Sequence, residues 1–556
     1  MTIGRMFATR FRQYRQAGLK DDLLAAAVVS VLLIPQCLAY ALLAGLPPQV
    51  GIYASLLPLL AYAALGSSSV NAVGPTAVLA LMTAQVMAPA VGPGGVSPTL
   101  AALVLATEVG LLLAAAALLK LDALAALLSA PVLQGFSTGA AVSIALSQLP
   151  ALLGSPARGT NAPELFASWW RSGSWGHAAT AGFGLGALLL LALARPYLPR
   201  RLGRAWPLVV ICAAALLAWA TSAPLHGVAV VGSLPELGLP LALPPFDATL
   251  WWQLLPGAAL IALVTFVSSF AVAESLALQR GEHVDGRREL AGLAAANLAA
   301  GVGGGMVVGG SFSRSAVNAD AGARTRMAGV WTALFLALAV LVLAAPLAWL
   351  PRAVLAASIV VPVLAAAEWS AFGRAWRYSR GETLVMGVVA ALTVLQNTQW
   401  ALGVGVAVSI ALLLKHTARP HAALIGRVPG TEHYRNVERY ATEITPGVMS
   451  LRIDESLLFT NARQLLGVVA RHLDTHPGTK RVLLQMTPVN RIDMSGLEAL
   501  RALQGVLLER DIRLDLSEVK GPVLDALRAA GWSSWFQGRL FLSHHQGVND
   551  EQGMAA

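Results

Sequence analysis

The sequence predicts a polytopic α-helical membrane domain followed by a small soluble α/β domain, and three observations support this fold class. The chain has 556 residues, of which 56% are hydrophobic and only 12% are charged, whereas soluble domains carry about 25% charged residues. Apolar segments recur as far as residue 416, many of them near the ~20 residues that a membrane helix needs. After Pro420 the pattern changes to alternating strands and helices. A single soluble globule is therefore excluded.

Fourteen apolar segments can be distinguished in the membrane part. Several are shorter than a full span and some adjoin without a polar break, so hydropathy alone would give only about ten. An even number of spans returns the chain to the side of the bilayer on which it started. In chain order the segments cover residues 22–44, 50–66, 74–91, 98–119, 122–153, 176–198, 205–222, 249–279, 289–304, 311–329, 330–349, 352–368, 381–396 and 397–416.

The placement of positive charge supports this count. If the N-terminus is cytoplasmic, the even-numbered connections should be basic, and 20 of the 24 Lys and Arg residues in 1–419 lie on that side. Arg158, Arg171 and Arg352 lie on the opposite side, and Arg314 lies inside an apolar segment. The pattern predicts that the N-terminus and the C-terminal domain are both cytoplasmic. The Ala-, Leu- and Arg-rich composition is typical of a high-GC bacterium, so the inner membrane is the expected location.

Charge and cysteine usage exclude several functions. The net charge is +10, but residues 420–556 hold 15 basic and 15 acidic residues, so the excess belongs to the membrane part and indicates lipid rather than nucleic acid as a partner. Cys37 and Cys212 both lie in apolar stretches, and the His residues lack metal-ligand spacing. We find no nucleophile–base pair and no phosphate loop. The sequence thus predicts neither an enzyme nor a metal or other cofactor.

The C-terminal part has the pattern of a compact α/β domain. Predicted strands at Gly447–Ile453, Arg481–Met486 and Ile512–Leu516 are followed by helical stretches near 459–472, 495–509 and 520–530. The predicted division of the chain is a membrane domain 1–419, a linker 420–437, the α/β domain 438–545 and a flexible tail 546–556.

Four membrane segments carry polar residues, which are functional candidates because charge is costly in the hydrocarbon core. In the first, Pro35 interrupts the helix beside Gln36 and Tyr40. The second opens a short helix at Gly74-Pro75-Thr76, the third holds Glu274, and the fourth is a glycine- and serine-rich entry, Gly309 to Ser315, that contains Arg314.

The second and fourth segments share one physical logic. Each has helix-breaking residues followed by a short helical stretch, which exposes free N–H groups and the positive end of the helix dipole. Two such ends that face each other form an anion site, to which Arg314 adds a full charge and Thr76 and Ser313 add hydroxyl donors. The segments begin 237 positions apart, at 74 and 311. With seven spans per half, the second half is predicted to insert upside down, as in secondary transporters.

Each assignment has a structural alternative. Glu274 could pair with Arg314 or a backbone group instead of serving substrate or proton coupling, and Gln36 and Tyr40 could be packing hydrogen-bonders. Glu108 also lies in an apolar run, without a polar neighbourhood in sequence. The glycines between 301 and 310 fit close helix packing better than phosphate binding, because no Gly-Lys-Ser/Thr follows.

Several motifs in this order resemble the sulfate permease family, also called solute carrier family 26, over nearly the whole chain. The tail resembles a STAS domain, similar to bacterial anti-sigma-factor antagonists. The matching stretches are Pro35-Gln36 through Tyr40 to Pro48, Gly51 to Tyr53, Gly74 to Val78, Pro131 to Phe136, Glu289-Leu290 with Asn297, Ser311 to Ser315, Leu458 to Ala462 and Asp493 to Gly496. The pair before Glu289 is Arg287-Arg288, which departs from the family's usual pattern.

The resemblance implies two intertwined inverted repeats of seven spans. They would divide into a core domain (about 22–119 and 249–349) and a gate domain (about 122–222 and 352–416), commonly in a homodimer that carries small anions such as sulfate, bicarbonate or dicarboxylates. Access is expected to alternate by an elevator-like movement of the core against the gate. The residues implied around the anion are Gln36, Tyr40, Thr76, Ala77, Glu274, Ser313 and Arg314.

Two hypotheses follow, one on the coupling of transport to protons and one on regulation. Protonation of Glu274 would remove a negative charge beside the anion, so anion and proton binding would favour each other and give proton symport. Sodium coupling, exchange or an uncoupled channel remain alternatives for the same fold, and fumarate is one candidate dicarboxylate. In the STAS-like tail, the Asp493 and Ser495 motif is a candidate contact for a cytoplasmic regulator. Ser495 is either a phosphorylation site or, as we favour, the N-cap of a helix.

Overall fold

The structure is a computed structural model of the chain, and it describes residues 18–91, 95–123, 129–159, 161–193, 200–232, 241, 243–396, 398–418, 421–549 and 554–555. The basic segment before Gly18 lies outside the described residues. The chain divides into two compact units, Met1–Ser409 and Ile410–Ala556.

The chain up to Ala418, whose last helix runs past the boundary at Ser409, is mainly helical, and each of the fourteen predicted apolar segments contains one helix. Two further short helices, α6 and α14, lie between predicted spans. In chain order the helices are α1 Leu19–Leu43, α2 Pro48–Leu65, α3 Ala77–Met87, α4 Pro98–Leu118, α5 Ala130–Leu153, α6 Ala162–Ser172, α7 Ala178–Leu193, α8 Arg200–Ala220, α9 Ala248–Arg280, α10 Gly286–Val302, α11 Phe312–Asp320, α12 Met327–Ala348, α13 Arg352–Ala366, α14 Trp369–Tyr378, α15 Arg380–Leu395 and α16 Thr398–Ala418.

Length and apolar composition are sufficient for six described helical stretches to cross a membrane. Shorter apolar helices supplement them, with 10–17 residues each. The six are Leu19–Leu43, Pro48–Leu65, Pro98–Leu118, Ala130–Leu153, Ala248–Arg280 and the stretch Arg352–Tyr378.

Local signals explain where these helices begin. Ser97 precedes α4 and accepts a hydrogen bond from Leu100 N, with Pro98 in the first helical position. Asp285 caps α10 by accepting from Arg288 N at 2.9 Å. Such side-chain acceptors satisfy N–H groups that have no partner within the helix.

Two short strands lie where the sequence predicts interrupted helices. β1 (Val73–Gly74) pairs antiparallel with β2 (Gly309–Gly310), with Val73 opposite Gly310 and Gly74 opposite Gly309. Helix α3 starts three residues after β1 ends, and α11 starts two residues after β2 ends. Because the strands are antiparallel, the two helices leave the ladder in opposite directions with their N-terminal ends beside it. The predicted interruptions are therefore confirmed.

The ladder is enclosed by tightly packed helices of the first unit. Helix α10 packs against both α4 and α2. At one crossing a Cβ on Gly292 would lie 2.5 Å from Gly66 Cα, so glycine is required there for the backbones to approach. Helix α9 contacts the β2 segment, and helix α11 contacts α1. These two helices complete the surroundings of the site.

The second unit is a seven-stranded sheet with helices. Strands β5, β6, β7 and β8 pair in parallel, and the edge pairs are antiparallel. The sheet order is β4-β3-β5-β6-β7-β8-β9, with strands β3 Ala422–Arg427, β4 Tyr434–Asn436, β5 Val448–Ile453, β6 Arg481–Gln485, β7 Arg513–Ser517, β8 Arg539–Phe541 and β9 Met554–Ala555. The helices are α17 Ala462–Thr475, α18 Met494–Glu509, α19 Gly521–Ala529 and α20 His544–Val548.

The three predicted strands and three predicted helices of this unit all occur within a few residues of the expected positions, but the ends of the domain differ. Residues 420–437, expected to be a linker, contribute β3 and β4 to the sheet. Residues 546–556, expected to be a flexible tail, include the end of α20 and β9 in their described part. β4, β9 and α20 have only two to five residues, and β3 has six residues but lies between β4 and β5. Tertiary pairing rather than local periodicity therefore determines them.

Candidate functional site

Arg314 joins three of the four polar segments that the sequence singles out. It lies in the first turn of α11 and is only 2% exposed. Its Nη1 donates to the carbonyl oxygen of Pro75 at 2.8 Å and to Gln36 Oε1 at 3.4 Å. The structure therefore brings together residues that are more than 230 positions apart in sequence.

The second terminal nitrogen of Arg314 has unused hydrogen-bonding capacity. Its Nη2 is buried without a hydrogen-bond partner, and within the described ranges no carboxylate pairs with this guanidinium. A Cβ on Gly74 would lie 3.3 Å from the same nitrogen, so the extended backbone of β1 passes directly beside it. Because a buried cation without a counter-ion is unfavourable, a small anion at this point would complete the site.

Both helix starts beside the ladder carry hydroxyl groups. Thr76 is the N-cap of α3, and its side chain accepts from Leu79 N at 3.3 Å, so its O–H hydrogen remains available as a donor. Ala77 is buried as the first residue of α3. Ser313, in the first turn of α11, is exposed, and its Oγ lies 3.3 Å from Ser311 Oγ. The two helix dipoles and these hydroxyls favour negative charge.

The other predicted site residues occupy different environments. Tyr40 is buried, and Gln36 is half-buried beside Arg314. Glu274 lies on an exposed face of α9, and among the described residues it has no hydrogen bond or ion pair. The alternative in which Glu274 pairs with Arg314 is therefore not formed in this structure.

A buried network behind the ladder was not predicted from the sequence. Glu289 is fully buried and accepts from Tyr62 Oη at 2.7 Å, from the backbone N and Oγ of Ser67, and from Asn71 Nδ2 at 2.9 Å. Asn71 Oδ1 in turn accepts from Ser315 Oγ at 3.1 Å, and Ser315 Oγ accepts from Ala72 N at 2.9 Å. The network ties the chain before β1 to the first turn of α11. The one available sequence signal was the Glu289-Leu290 motif.

Two further contacts position the strand β2. Ser269 Oγ on α9 accepts from Gly310 N at 2.7 Å. The Asn297 side chain exchanges hydrogen bonds with the backbone N and carbonyl of Val308, both at 3.0 Å. The backbone that leads into α11 is therefore held in place by side chains of two neighbouring helices.

Comparison with known proteins identifies the family to which the chain belongs. The family model of the Sulfate permease family matches residues 19–389. The chain belongs to this family. A STAS domain model matches residues 439–547, close to the predicted 438–545. The predicted family is thus confirmed.

Relatives and solved structures extend the match. A probable sulfate transporter of Mycobacterium tuberculosis is 34% identical over 525 residues, which cover 94% of this chain and 93% of the relative. Probable sulfate transporter 4.2 of Arabidopsis thaliana is 32% identical, covering 94% and 79%. The structure of murine Solute Carrier 26 family member A9 in the inward-facing state has a TM-score of 0.83 at 22% identity, covering 93% and 88%.

The transmembrane domain of a cyanobacterium bicarbonate transporter has a TM-score of 0.62 at 21% identity, covering 70% of this chain and 97% of that one. These structural likenesses show the fold. The family and its relatives are transporters, so this sulfate permease family member is an anion transporter and not an enzyme.

A further candidate in the membrane unit is Glu108 on α4. It is 2% exposed, and both of its carboxyl oxygens are buried without a hydrogen-bond partner among the described residues. The sequence alone gives Glu108 no role, because nothing polar adjoins it in the chain. Its burial makes it a second carboxyl group to consider for proton coupling.

In the STAS domain the structure corrects one prediction. The N-cap of α18 is Asp493, whose Oδ1 accepts from Gly496 N at 2.9 Å, while its Oδ2 accepts from Phe459 N at 2.7 Å. Ser495 is not the cap; it lies in the first turn and is exposed. Both residue types cap helices well, but helix α18 starts at Met494, two residues before the start that a cap at Ser495 would give, so Asp493 takes the capping position.

The STAS domain also contains a buried polar cluster around His544. Its Nδ1 lies 2.7 Å from Ser517 Oγ, and burial lowers the pKa of His544 to about 4. Burial would raise the pKa of the neighbouring Glu518, but hydrogen bonds from Thr487, the backbone of His544 and Gln485 outweigh this effect and hold the pKa below its usual value.

Nowhere in the described part of the chain do three or more His, Cys, Asp or Glu residues gather as metal ligands would.

Proposed function

We propose that the protein is a secondary active transporter that binds a small oxyanion beside the β1–β2 ladder, between the N-terminal ends of α3 and α11. The observation that carries the proposal is the buried guanidinium of Arg314, whose Nη2 lacks a partner. An anion at this position accepts charge-assisted hydrogen bonds from the guanidinium, and these are stronger than hydrogen bonds between neutral groups. Thr76, Ala77, Ser313, Gln36 and Tyr40 surround this position in the proposal.

Sulfate is the first candidate substrate, because relatives along almost the whole chain are named as sulfate transporters. Bicarbonate is the second, because one structural neighbour is named as a bicarbonate transporter. A dicarboxylate such as fumarate is the third. All three present oxygen atoms that match a guanidinium and helix N-termini.

Transport is driven in this proposal by proton symport through Glu274. An ionised carboxyl group near the anion would repel it, and protonation removes that repulsion, so each ligand favours binding of the other. The support for this residue is its carboxyl group at an exposed position of α9, within a helix that is otherwise apolar enough to cross a membrane. Coupling to sodium, exchange and a channel mechanism are outcomes of the test below.

The remaining features of the proposal concern movement and placement. The core domain carries the site past the gate domain in an elevator-like cycle, and two copies form a homodimer. The protein lies in the inner membrane with the N-terminus and STAS domain in the cytoplasm, as the 20 basic residues on one side indicate. A cytoplasmic regulator binds the STAS domain near Asp493 and Ser495.

The decisive experiment measures uptake of radiolabelled sulfate, bicarbonate and fumarate into proteoliposomes with an imposed pH or sodium gradient. Accumulation of one anion against its gradient supports the proposal, whereas flux that only equilibrates indicates a channel. Arg314→Gln should abolish uptake. Arg171→Gln, which removes an exposed charge on α6, is the control and should retain it. Equal uptake by both variants would contradict the role of Arg314.

A second pair of variants tests the coupling residue. Glu274→Gln should abolish the pH dependence of uptake while leaving binding of the anion. Glu108→Gln is its matched control, because it replaces the other membrane carboxyl group in the same way. If Glu108→Gln removes the pH dependence and Glu274→Gln does not, the coupling role belongs to Glu108.

A further inference from the structure

A second polar region of the membrane unit lies at the other end of α3. There, a cavity of about 1130 Å³ is bordered by the C-terminal ends of α1, α3 and α5 and by the first turns of α13. Two arginines line it, Arg158 in the segment after α5 and Arg352 at the start of α13. The described lining contains no Asp or Glu.

The cavity adjoins the candidate anion site along two helices. Helix α3 begins at Ala77 beside Arg314's ladder, and the same helix presents Leu81 and Gln85 to the cavity. At a rise of 1.5 Å per residue, these positions lie about 6 Å and 12 Å along the axis from the helix start. On α1, Leu42 and Leu43 line the cavity just after Tyr40. The cavity therefore begins one to two helical turns from the start of α3 beside the site.

The two arginines are available for a mobile anion. Arg352 is exposed, and its Nε donates to the carbonyl oxygen of Val230 at 3.1 Å, which orients the guanidinium and leaves its terminal nitrogens unused. Arg158 is exposed, and only its backbone N is engaged, by Ser168 Oγ at 3.0 Å. Neither forms an ion pair with a carboxylate within the described ranges.

Their position in the charge pattern adds an independent observation. Arg158, Arg171 and Arg352 are the three basic residues that depart from the predicted basic side of the membrane. Two of these three line one cavity, whereas Arg171 lies outside its lining. Basic residues are depleted on this side in general, so a pair retained around a cavity indicates a local role for positive charge.

We propose that this cavity is a second anion site, in which Arg158 and Arg352 capture a small oxyanion from the non-cytoplasmic solution before it reaches Arg314. The inference rests on the proposed function as an anion transporter. Clefts lined by one sign of charge raise the local concentration of an oppositely charged substrate and its rate of entry. Because exposed charges act through solvent, capture weakens as ionic strength rises.

The test compares initial uptake rates in intact cells, where the substrate meets this side first. Arg158→Gln and Arg352→Gln should each raise KM about three- to tenfold with little change in Vmax, and the double variant should raise it about tenfold or more. The lysine variants should restore most of the affinity. Added inert salt should raise KM in the original protein and much less in the double variant. Arg171→Gln is the matched control and should leave KM and its salt dependence unchanged.

A second test changes the charge at position 352 by covalent labelling, so the same cysteine variant is compared with labels of opposite charge. In a Cys212→Ser background, which removes the exposed native thiol, Arg352→Cys is labelled from outside with a cationic or an anionic methanethiosulfonate reagent. The cationic label should lower KM and the anionic label should raise it. Equal effects of the two labels, or an unchanged KM in the double glutamine variant, would overturn the inference. If the original protein moves no anion at all, it is the proposed function that fails.

Discussion

Gly310 gives the sharpest test of the framework that holds the proposed anion site. A Cβ at this position would lie 2.6 Å from Asn71 Oδ1 and 3.0 Å from Asn71 Nδ2. Asn71 cannot move freely, because its Nδ2 donates to Glu289 at 2.9 Å and its Oδ1 accepts from Ser315 at 3.1 Å. In Gly310→Ala, the added methyl group therefore displaces a side chain that is held by two buried hydrogen bonds.

The expected magnitude follows from these two bonds. The bond to the carboxylate of Glu289 is worth about 1.5–3 kcal/mol, and the bond from Ser315 is worth about 0.5–1.5 kcal/mol. We expect Gly310→Ala to lower the free energy of unfolding by about 2–4 kcal/mol and to reduce anion uptake. Asn71→Ala removes this side chain and leaves a contact of 3.1 Å to Ser269 Cα, so adding Gly310→Ala to that variant should cost clearly less than Gly310→Ala alone.

The assay is unfolding of the four proteins of this double-mutant cycle in mixed micelles, followed by tryptophan fluorescence. Gly309→Ala is the control on the same strand: its Cβ would meet Leu79 Cδ1 at 2.8 Å, and the end of a flexible side chain can shift at less cost. If Gly310→Ala costs the same with and without Asn71, or less than Gly309→Ala, the clash with Asn71 does not govern the ladder.

Three further predictions concern single contacts. Ser269→Ala leaves Gly310 N without its acceptor and should lower the free energy of unfolding by about 1–3 kcal/mol in the same assay. The control Ser268→Ala removes only a hydrogen bond to Val264 O of its own helix and should lower it by about 0.5 kcal/mol or less. Asp493→Ala should reduce the stability of the STAS domain by about 1–2 kcal/mol and Ser495→Ala by less than about 0.5 kcal/mol, as measured by amide hydrogen exchange in the full chain; equal effects would contradict the assignment of the cap. Between pH 6.5 and 4 the unfolded chain binds a proton at His544 that the folded chain does not, so STAS stability should fall by up to about 3 kcal/mol as the pH drops through this range. His544→Gln should flatten this dependence in the same exchange measurement, and an unchanged slope would show that other groups cause it.

Much of the fold follows from local patterns along the chain. Apolar segments predict one helix each, and Gly74-Pro75 and Gly309-Gly310 predict where helices are interrupted, because glycine and proline disfavour helical backbone. Arg314 could be singled out without a structure, since an arginine at membrane depth is costly and therefore functional by default. These inferences need only short-range information.

The partners of these residues depend on distant parts of the chain. The Asn71–Glu289 network joins residues 218 positions apart, and no periodicity indicates it. Edge strand β9 has only two residues, too few to show an alternating pattern, and forms by pairing with β8. Strand β3 has six residues, but it lies between β4 and β5 and is buried from Ala423 to Gly426, so it shows no alternation either. The exposed position of Glu274 depends on how α9 is rotated in the unit, which packing determines.

The sequence by itself determined the helix positions, the breaks, the charge asymmetry between the two sides and the family. Only the tertiary structure decided that β1 and β2 pair in register and that two of the three exceptional arginines share one cavity. It also decided that Arg314 Nη1 contacts Pro75 while Nη2 has no hydrogen-bond partner among the described residues. The physical reason is the distance along the chain over which the deciding interactions act. Helix formation and membrane insertion depend on neighbouring residues, whereas a site built from three remote segments exists only once those segments have packed together.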